Sequence, residues 1–301
     1  MFALLACLID MRREKILAFA LCVLAWPVLA ASPGAELKSG YAAAAARLRD
    51  SPFHRPLYLE SAETSGALKG EVYAVIAHPY ATVQDTFTGP AHWCEVLLLQ
   101  PNVKQCRTLG EGGAARLAVN LGRRFDQPIE KTFLTEFSFQ VAQATPEYFQ
   151  VQLEAKQGPV GTHDYRIVLE AMAVEHGQTY MHLAYSYGYG LSARLATQAY
   201  LSTSGSGKVG FTVTGKDGDG APQYIGGLRG AVERNAMRYY LALDAWLAAG
   251  SAPPPQRFEQ SLQRWYDSIE QYARQLKEDD RKTYLAVKRG EYRRQLVAQK
   301  S

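Results

Sequence analysis

The chain has 301 residues, 47% hydrophobic and 21% charged, with 33 Lys and Arg against 29 Asp and Glu for a net charge of +4. These ordinary globular proportions exclude a mainly disordered or membrane-embedded chain. The charge is uneven: residues 31–255 carry 19 basic against 20 acidic side chains, and residues 256–301 carry 11 against 7, so the body offers no electrostatic footing for nucleic acid and no such partner is expected.

Residues 1–30 read as a signal peptide. From Met11 there is a basic stretch (Arg12, Arg13, Lys15), an apolar run over residues 16–28, and small residues at Ala30 and Ala31. The run is shorter than the ~20 residues of a membrane span and carries Pro27 at its end in place of basic stop-transfer residues, so cleavage near Ala30 is expected. The ten residues before Met11 do not fit the basic region, which points to Met11 as the true start. Leu21 stands before Cys22 where a lipoprotein signal needs a small residue, so lipidation is not expected. A periplasmic or otherwise exported protein is expected. Residues 31–55 hold "ELKSGYAAAAARLRD", a short helix by alanine propensity that Pro52 stops.

Residues 56–250 form the body. "LKGEVYAVIAH" reads as a strand, and a short helix starts near Pro79 through "YATVQDTF". Next comes "HWCEVLLLQPNVKQC", with Cys94 and Cys106. Once Cys7 and Cys22 are cleaved away these two cysteines stand alone in an oxidising compartment, where pairing is the rule. A zinc site would need more ligands than His92 supplies, and a catalytic thiol would need a base beside it. A disulfide is therefore expected, closing a loop worth about 3 kcal/mol. The six histidines are scattered without an HExxH pair, so no metal is expected.

Strands continue at "NVKQCRTL", "ARLAVNL" and "KTFLTEFSFQVA". The last places Phe133, Phe137, Phe139 and Val141 on one face and Glu136, Ser138 and Gln140 on the other. "YFQVQLEAK" sets Phe149, Val151 and Leu153 against Gln150, Gln152 and Glu154; "HDYRIVLEA" sets Tyr165, Ile167 and Leu169 against Asp164, Arg166 and Glu170. Period two marks half-buried antiparallel strands, and with "TYMHLAYSY" and "KVGFTVTG" they suit one curved sheet with a single apolar face. Tyr185, Tyr187 and Tyr189 alternate along one strand, placed either to stack on a ligand or to fill the core. "GSGKVG" (205–210) lacks the first glycine and the Mg²⁺-binding Ser/Thr of a phosphate loop, and "KDGDGAPQ" (216–223) lacks the glutamate of a Ca²⁺ loop; the second reads as a turn.

"IGGLRGAVERNAMRYYLALDAWLAAG" carries Leu228, Val232, Ala236, Tyr240, Leu243 and Leu247 at spacings of three and four, with Arg229, Glu233 and Asp244 off the stripe: a long amphipathic helix. Arg234 and Arg238 lie one turn apart. They form either a solvated face paired with Glu233 or Asp244, or a polar anchor turned inward to a carboxylate or headgroup at a cavity mouth. "SAPPPQ" (251–256) reads as a Pro-rich linker. The basic tail, 257–301, repeats Phe258, Leu262, Trp265, Ile269, Tyr272 and Leu276 along one stripe, followed by a second helical stretch. That stripe must be covered by the body, by a protein partner, or by an anionic membrane surface, the last opposed by Glu278, Asp279 and Asp280. Removing residues 256–301 is expected to leave the body folded.

"LKGEVYAVIAHPYATVQDTFTGPAHWCEVL" resembles the opening of START-like, helix-grip (SRPBCC-type) domains, and "GGLRGAVERNAMRYYLALDAWL" is similar to their closing helix. The resemblance spans about residues 56–249 and departs at "LSARLATQAYLSTSG", a lid or extra helix. It implies an α+β fold, a curved antiparallel sheet wrapped around a long C-terminal helix, and a cavity between them for a lipid, sterol or other hydrophobic small molecule. The expected lining is Phe133, Phe137, Phe139, Phe149, Val151, Tyr165, Ile167, Tyr185, Tyr187 and Tyr240. The family shares no catalytic set, so none is carried over, and no cofactor is expected. A carrier is the first expectation; an enzyme of cyclase or hydrolase type in the same cavity, and an assembly protein acting through its tail, are the alternatives.

Overall fold

A computed structural model of the chain describes residues 33–110, 112–122, 127–203, 205 and 207–298. The expected signal peptide and cleavage point, Met11, Cys7 and Cys22 lie outside them. In chain order come α1 (Pro33–Arg49), β1 (Leu57–Thr64), β2 (Ala67–Ile76), α2 (Tyr80–Phe87), α3 (Ala91–Leu98), β3 (Val103–Leu109) and β4 (Arg116–Leu121). Four long strands follow, β5 (Phe133–Ala144), β6 (Tyr148–Gln157), β7 (Thr162–Val174) and β8 (Gln178–Tyr189), then α4 (Leu191–Ser202) and a hairpin of β9 (Val213–Lys216) and β10 (Pro222–Tyr224). The chain closes on α5 (Gly227–Ala248), α6 (Pro254–Gln271), α7 (Ala273–Leu276) and α8 (Arg281–Ala298).

Eight strands form one antiparallel sheet in the order β1-β2-β8-β7-β6-β5-β4-β3. Strands β3 to β8 run as a meander, and β8 then pairs with β2, so the connection between β2 and β3 is left to α2 and α3. Helix α5 lies against β1, β2 and β8 on the apolar face. Gly70 of β2 permits that approach: a Cβ there would sit 2.9 Å from the carbonyl oxygen of Val232. The fold is α+β, a sheet gripping its C-terminal helix.

The period-two pattern places Phe137 and Phe139 of β5, Phe149 and Val151 of β6, and Ile167 and Leu169 of β7 in the core. Two strand expectations change. Strand β1 has an irregular apolar pattern and was not anticipated. "KVGFTVTG" supplies only Val213–Lys216, in a separate two-stranded hairpin, because its first half is a loop pinned by α5. At the hairpin turn Asp217 Oδ1 accepts from the amides of Asp219 (3.1 Å) and Ala221 (2.8 Å), the local bonding of a turn.

Helix α5 is buried around most of its girth, because the sheet covers one side and the tail covers the other. Met237, Leu241 and Trp246 are buried as fully as the stripe residues Val232, Ala236 and Leu243. Against them α6 brings Phe258, Leu262, Trp265 and Ile269, all buried. The indole of Trp265 donates to the carbonyl of Arg238 (3.3 Å), and Phe258 stacks on Tyr292 of α8 with ring centroids 4.0 Å apart. Tyr284 donates to the Leu99 carbonyl at 2.6 Å. This packing speaks against the expectation that residues 256–301 can be removed without unfolding the body. The expected linker at 251–256 also gives way: Pro254 and Pro255 start α6, where proline's fixed φ and missing N–H are tolerated.

Cys94 of α3 and Cys106 of β3 form a disulfide, with Cα atoms 5.0 Å apart, fastening α3 to the sheet edge. On the outer face α1 buries Leu37, Ala44 and Leu48 against Tyr148, Met172 and Tyr180. Beside this patch His182 bridges two carboxylates, Nδ1 to Glu170 and Nε2 to Glu71, each at 2.9 Å, and its ring stacks on Tyr73 at 4.2 Å.

Candidate ligand cavity

A cavity of about 470 Å³ opens between β7, β8, α5 and α4. Its wall is dominated by tyrosines: Tyr165 from β7, Tyr185 and Tyr187 from β8, Tyr239 from α5 and Tyr200 from α4. Strand alternation puts Tyr185 and Tyr187 on the same face. Tyr187 stacks on Tyr165 at 5.3 Å, and Tyr239 tilts onto Tyr185 at 5.1 Å. Helix α4 presents Ala193, Ala196, Thr197 and Tyr200 to the cavity, and α5 presents Ala231, Arg234, Asn235 and Arg238. Both sets follow the i, i+3, i+4, i+7 spacing of a single helix face. The segment that departs from the helix-grip pattern is thus a helical cover whose inner face is small except at Tyr200.

The cover is held by Glu233, fully buried although it lies off the apolar stripe. Its carboxylate accepts the amides of Phe211 (2.6 Å) and Thr212 (2.9 Å) and the hydroxyls of Thr212 (2.7 Å) and Ser61 (2.6 Å). Four donors satisfy a buried charge that would otherwise be costly. The loop after α4 is thereby tied to α5 and β1, and Glu233 is not the partner of Arg234 or Arg238. Gly210 lets this happen: a Cβ there would stand 2.5 Å from Glu233 Oε2.

Arg234 and Arg238 face inward, 3% and 7% exposed. Arg238 donates to the Leu276 carbonyl at 3.0 Å and pairs with Glu278 at 2.5 Å. Arg234 has only a 3.4 Å contact from Nη1 to the Val209 carbonyl, and its Nε has no hydrogen-bond partner among the described residues. Burial, and then the like charge of Arg238, lower the pKa of Arg234, yet a guanidinium stays cationic at neutral pH. Burial opposes ionisation of Glu278, but Arg238, Lys208 and Arg234 outweigh it and hold the carboxyl below its ordinary range. Burial raises the pKa of all five tyrosines, with neighbouring tyrosines adding to it at Tyr185, Tyr187 and Tyr239. At neutral pH the wall therefore offers hydroxyl donors, a fixed cation and an ionised, paired carboxylate.

Of the residues singled out from sequence, the structure brings Tyr165, Tyr185, Tyr187, Arg234 and Arg238 to this cavity. Phe137 lies behind Tyr165, edge-on at 6.3 Å. Phe139, Phe149, Val151 and Ile167 share the apolar face but are enclosed in the packed core, because α2, α3 and α5 fill the space above them. Phe133 begins β5 and is 38% exposed. Tyr240 is buried elsewhere on α5, toward Arg55, Asp244 and Tyr272. Tyr200, Asn235, Tyr239 and Glu278 join the lining without a signal read from sequence, although Asn235 and Tyr239 follow Ala231 at steps of four, the spacing of one helix face. A larger groove, about 980 Å³, crosses the outer face of β5–β7, but four of its charges pair with one another, Arg116 with Glu136 and Arg166 with Glu154. Among the described residues no cluster of three His, Cys, Asp or Glu is placed to hold a metal, and no helix is long and apolar enough to cross a membrane.

No protein-family model and no curated protein matches the chain. Solved structures similar to it include norcoclaurine synthase from Thalictrum flavum, at 13% identity and a TM-score of 0.33, covering 50% of this chain and 80% of that one. A conserved protein of unknown function from Enterococcus faecalis is 10% identical over 70% of this chain and 90% of its own, with a TM-score of 0.33. CalU16 from Micromonospora echinospora is 10% identical over 72% and 96%, with a TM-score of 0.31. At this distance the fold is read from the strand order and helix packing described above.

Proposed function

We propose that the protein is an exported carrier of the START-like, helix-grip kind, holding a hydrophobic small molecule between β7, β8, α5 and α4. The observation that carries this reading is the tyrosine-walled cavity of about 470 Å³ under a helical cover. Its size falls in the range of small-molecule sites, and its aromatic wall suits an apolar body that the polar lining residues, Gln100, Asn102, Asn235 and the two arginines among them, would hold in a fixed orientation. The lining tyrosines keep their protons, and the cations that hold Glu278 below its ordinary range make it a weak base, so the wall favours binding over proton abstraction. The disulfide supports an oxidising compartment.

Native mass spectrometry of protein purified from the exported fraction tests both parts. An adduct that organic extraction removes, on a chain beginning near Ala31, is expected. A chain that retains its first residues contradicts export; a protein that carries no adduct and binds no hydrophobic probe contradicts the carrier reading.

A further inference from the structure

We infer that the cavity selects apolar molecules bearing a single oxyanion, such as a carboxylate, and that the Arg234 guanidinium receives it. The inference deepens the carrier reading and rests on it. Arg234 is 3% exposed and lines the cavity, yet of its five N–H donors the structure engages one, at 3.4 Å. Nε is buried with no partner among the described residues. A guanidinium removed from water and left this unsatisfied is unfavourable unless an acceptor reaches it.

Among the described residues the surroundings do not supply that acceptor. Glu278 is the one carboxylate in the lining, and its short contact goes to Arg238. Lys208 adds a third cation to the same field, its ammonium directed to the Lys277 carbonyl. The cavity end therefore holds more positive than negative charge, on a planar fork whose geometry matches an oxyanion. The tyrosine wall then receives the apolar body. A ring acid and an acyl-chain acid share this chemistry.

The test uses two fluorescent probes of one scaffold, 8-anilinonaphthalene-1-sulfonate and its uncharged analogue N-phenyl-1-naphthylamine, titrated into the full chain. Wild-type protein is expected to bind the sulfonate at least tenfold more tightly than the neutral probe. Arg234→Met is expected to weaken the sulfonate at least tenfold and to leave the neutral probe within twofold. Glu278→Gln, which removes the competing carboxylate, is expected to tighten the sulfonate a few-fold. Displacement by 2-naphthoate or by dodecanoate tells a ring acid from an acyl chain, and displacement by neither counts against the inference. Equal binding of the two probes to wild type, or equal loss of both in Arg234→Met, overturns oxyanion selection while leaving the carrier reading intact. Failure of wild type to bind either probe overturns both. Melting of ligand-free Arg234→Met separates the roles: an unchanged or higher Tm agrees with a ligand-directed arginine, and a Tm lowered by more than about 5 °C marks a structural one.

Discussion

Two clusters in this protein each set two buried basic side chains against one carboxylate, and they differ in what is left over. Where α8 meets β3, Lys288, Lys104 and Glu291 are wholly buried. The Lys288 ammonium gives its three protons to the Gln100 carbonyl (2.5 Å), the Val103 carbonyl (2.8 Å) and Glu291 (2.7 Å). Lys104 donates to the Pro101 carbonyl at 2.7 Å and lies 3.3 Å from the other Glu291 oxygen, in ionic contact without hydrogen-bond geometry. At the cavity, Arg234, Arg238 and Glu278 have the same formal charges, but Arg234 keeps most of its donors. Burial of charge alone therefore does not mark a binding site. Unsatisfied donors facing a cavity do, and the turn at residues 100–103 joins the clusters, since Gln100 also donates to the Arg238 carbonyl at 3.1 Å.

The largest way to disturb this comparison is to remove one cluster whole. Deleting residues 256–301 uncovers α5 and strips Lys104 of Glu291. Among the described residues the tail buries nine large side chains, Phe258, Leu262, Trp265, Tyr266, Ile269, Leu276, Tyr284, Leu285 and Tyr292. At about 1.5–3 kcal/mol each their joint loss, about 14–27 kcal/mol, reaches or exceeds the margin of an ordinary domain, about 5–15 kcal/mol. Circular dichroism is expected to show no cooperative melt; a native-like melt would contradict the packing. Next in size is Lys288→Met, which leaves Glu291 short of a partner in a dry site and is expected to cost about 3–5 kcal/mol in urea unfolding. A neutral Lys288→Met would erase the distinction from Arg234.

Reduction of Cys94–Cys106 is expected to cost about 3 kcal/mol, read as a lower urea midpoint with dithiothreitol than without. An unchanged midpoint means that α3 is held by packing alone.

A smaller effect concerns pH. Burial opposes the imidazolium of His182, but its bonds to Glu170 and Glu71 prevail and raise its pKa. Burial opposes ionisation of Glu71 as well, yet His182 and Lys69 bring it down to about 2. The His182 contribution is present below its unfolded value, about 6.5, and is lost as pH rises through the higher folded value. The Glu71 contribution is present above about 4.5 and is lost as pH falls toward 2. His182→Gln is expected to lower stability by about 1–2 kcal/mol near pH 6 and to flatten both limbs of the Tm–pH curve. Parallel curves for the two proteins would place the stabilisation elsewhere.

The core strands and α5 were legible because their periods repeat over many residues; Val232, Ala236 and Leu169 needed no knowledge of partners. Tyr185 and Tyr187 were legible as a pair on one face, whether as core or as ligand wall. Whether a buried residue meets a cavity or a packed neighbour depends on elements far away in the chain. Phe149 and Val151 have the same parity as Tyr165 yet are sealed in the core. Lys288 reads as a solvated charge until α8 is laid on a turn some 185 residues earlier. The tail stripe was plain in sequence, but the far side of α5, which covers it, was hidden among Met237, Leu241 and Trp246, outside the stripe assigned to the sheet.

The contrast between the two clusters is tested most directly by the side-chain N–H resonances of Arg234, assigned by comparison with Arg234→Met and followed during titration with 8-anilinonaphthalene-1-sulfonate and with N-phenyl-1-naphthylamine. A saturable shift of the Arg234 signals with the sulfonate alone, with the Lys288 ammonium signals unmoved, is expected. Arg234 signals that do not respond, or that respond equally to the neutral probe, would contradict the assignment of this arginine to an oxyanion.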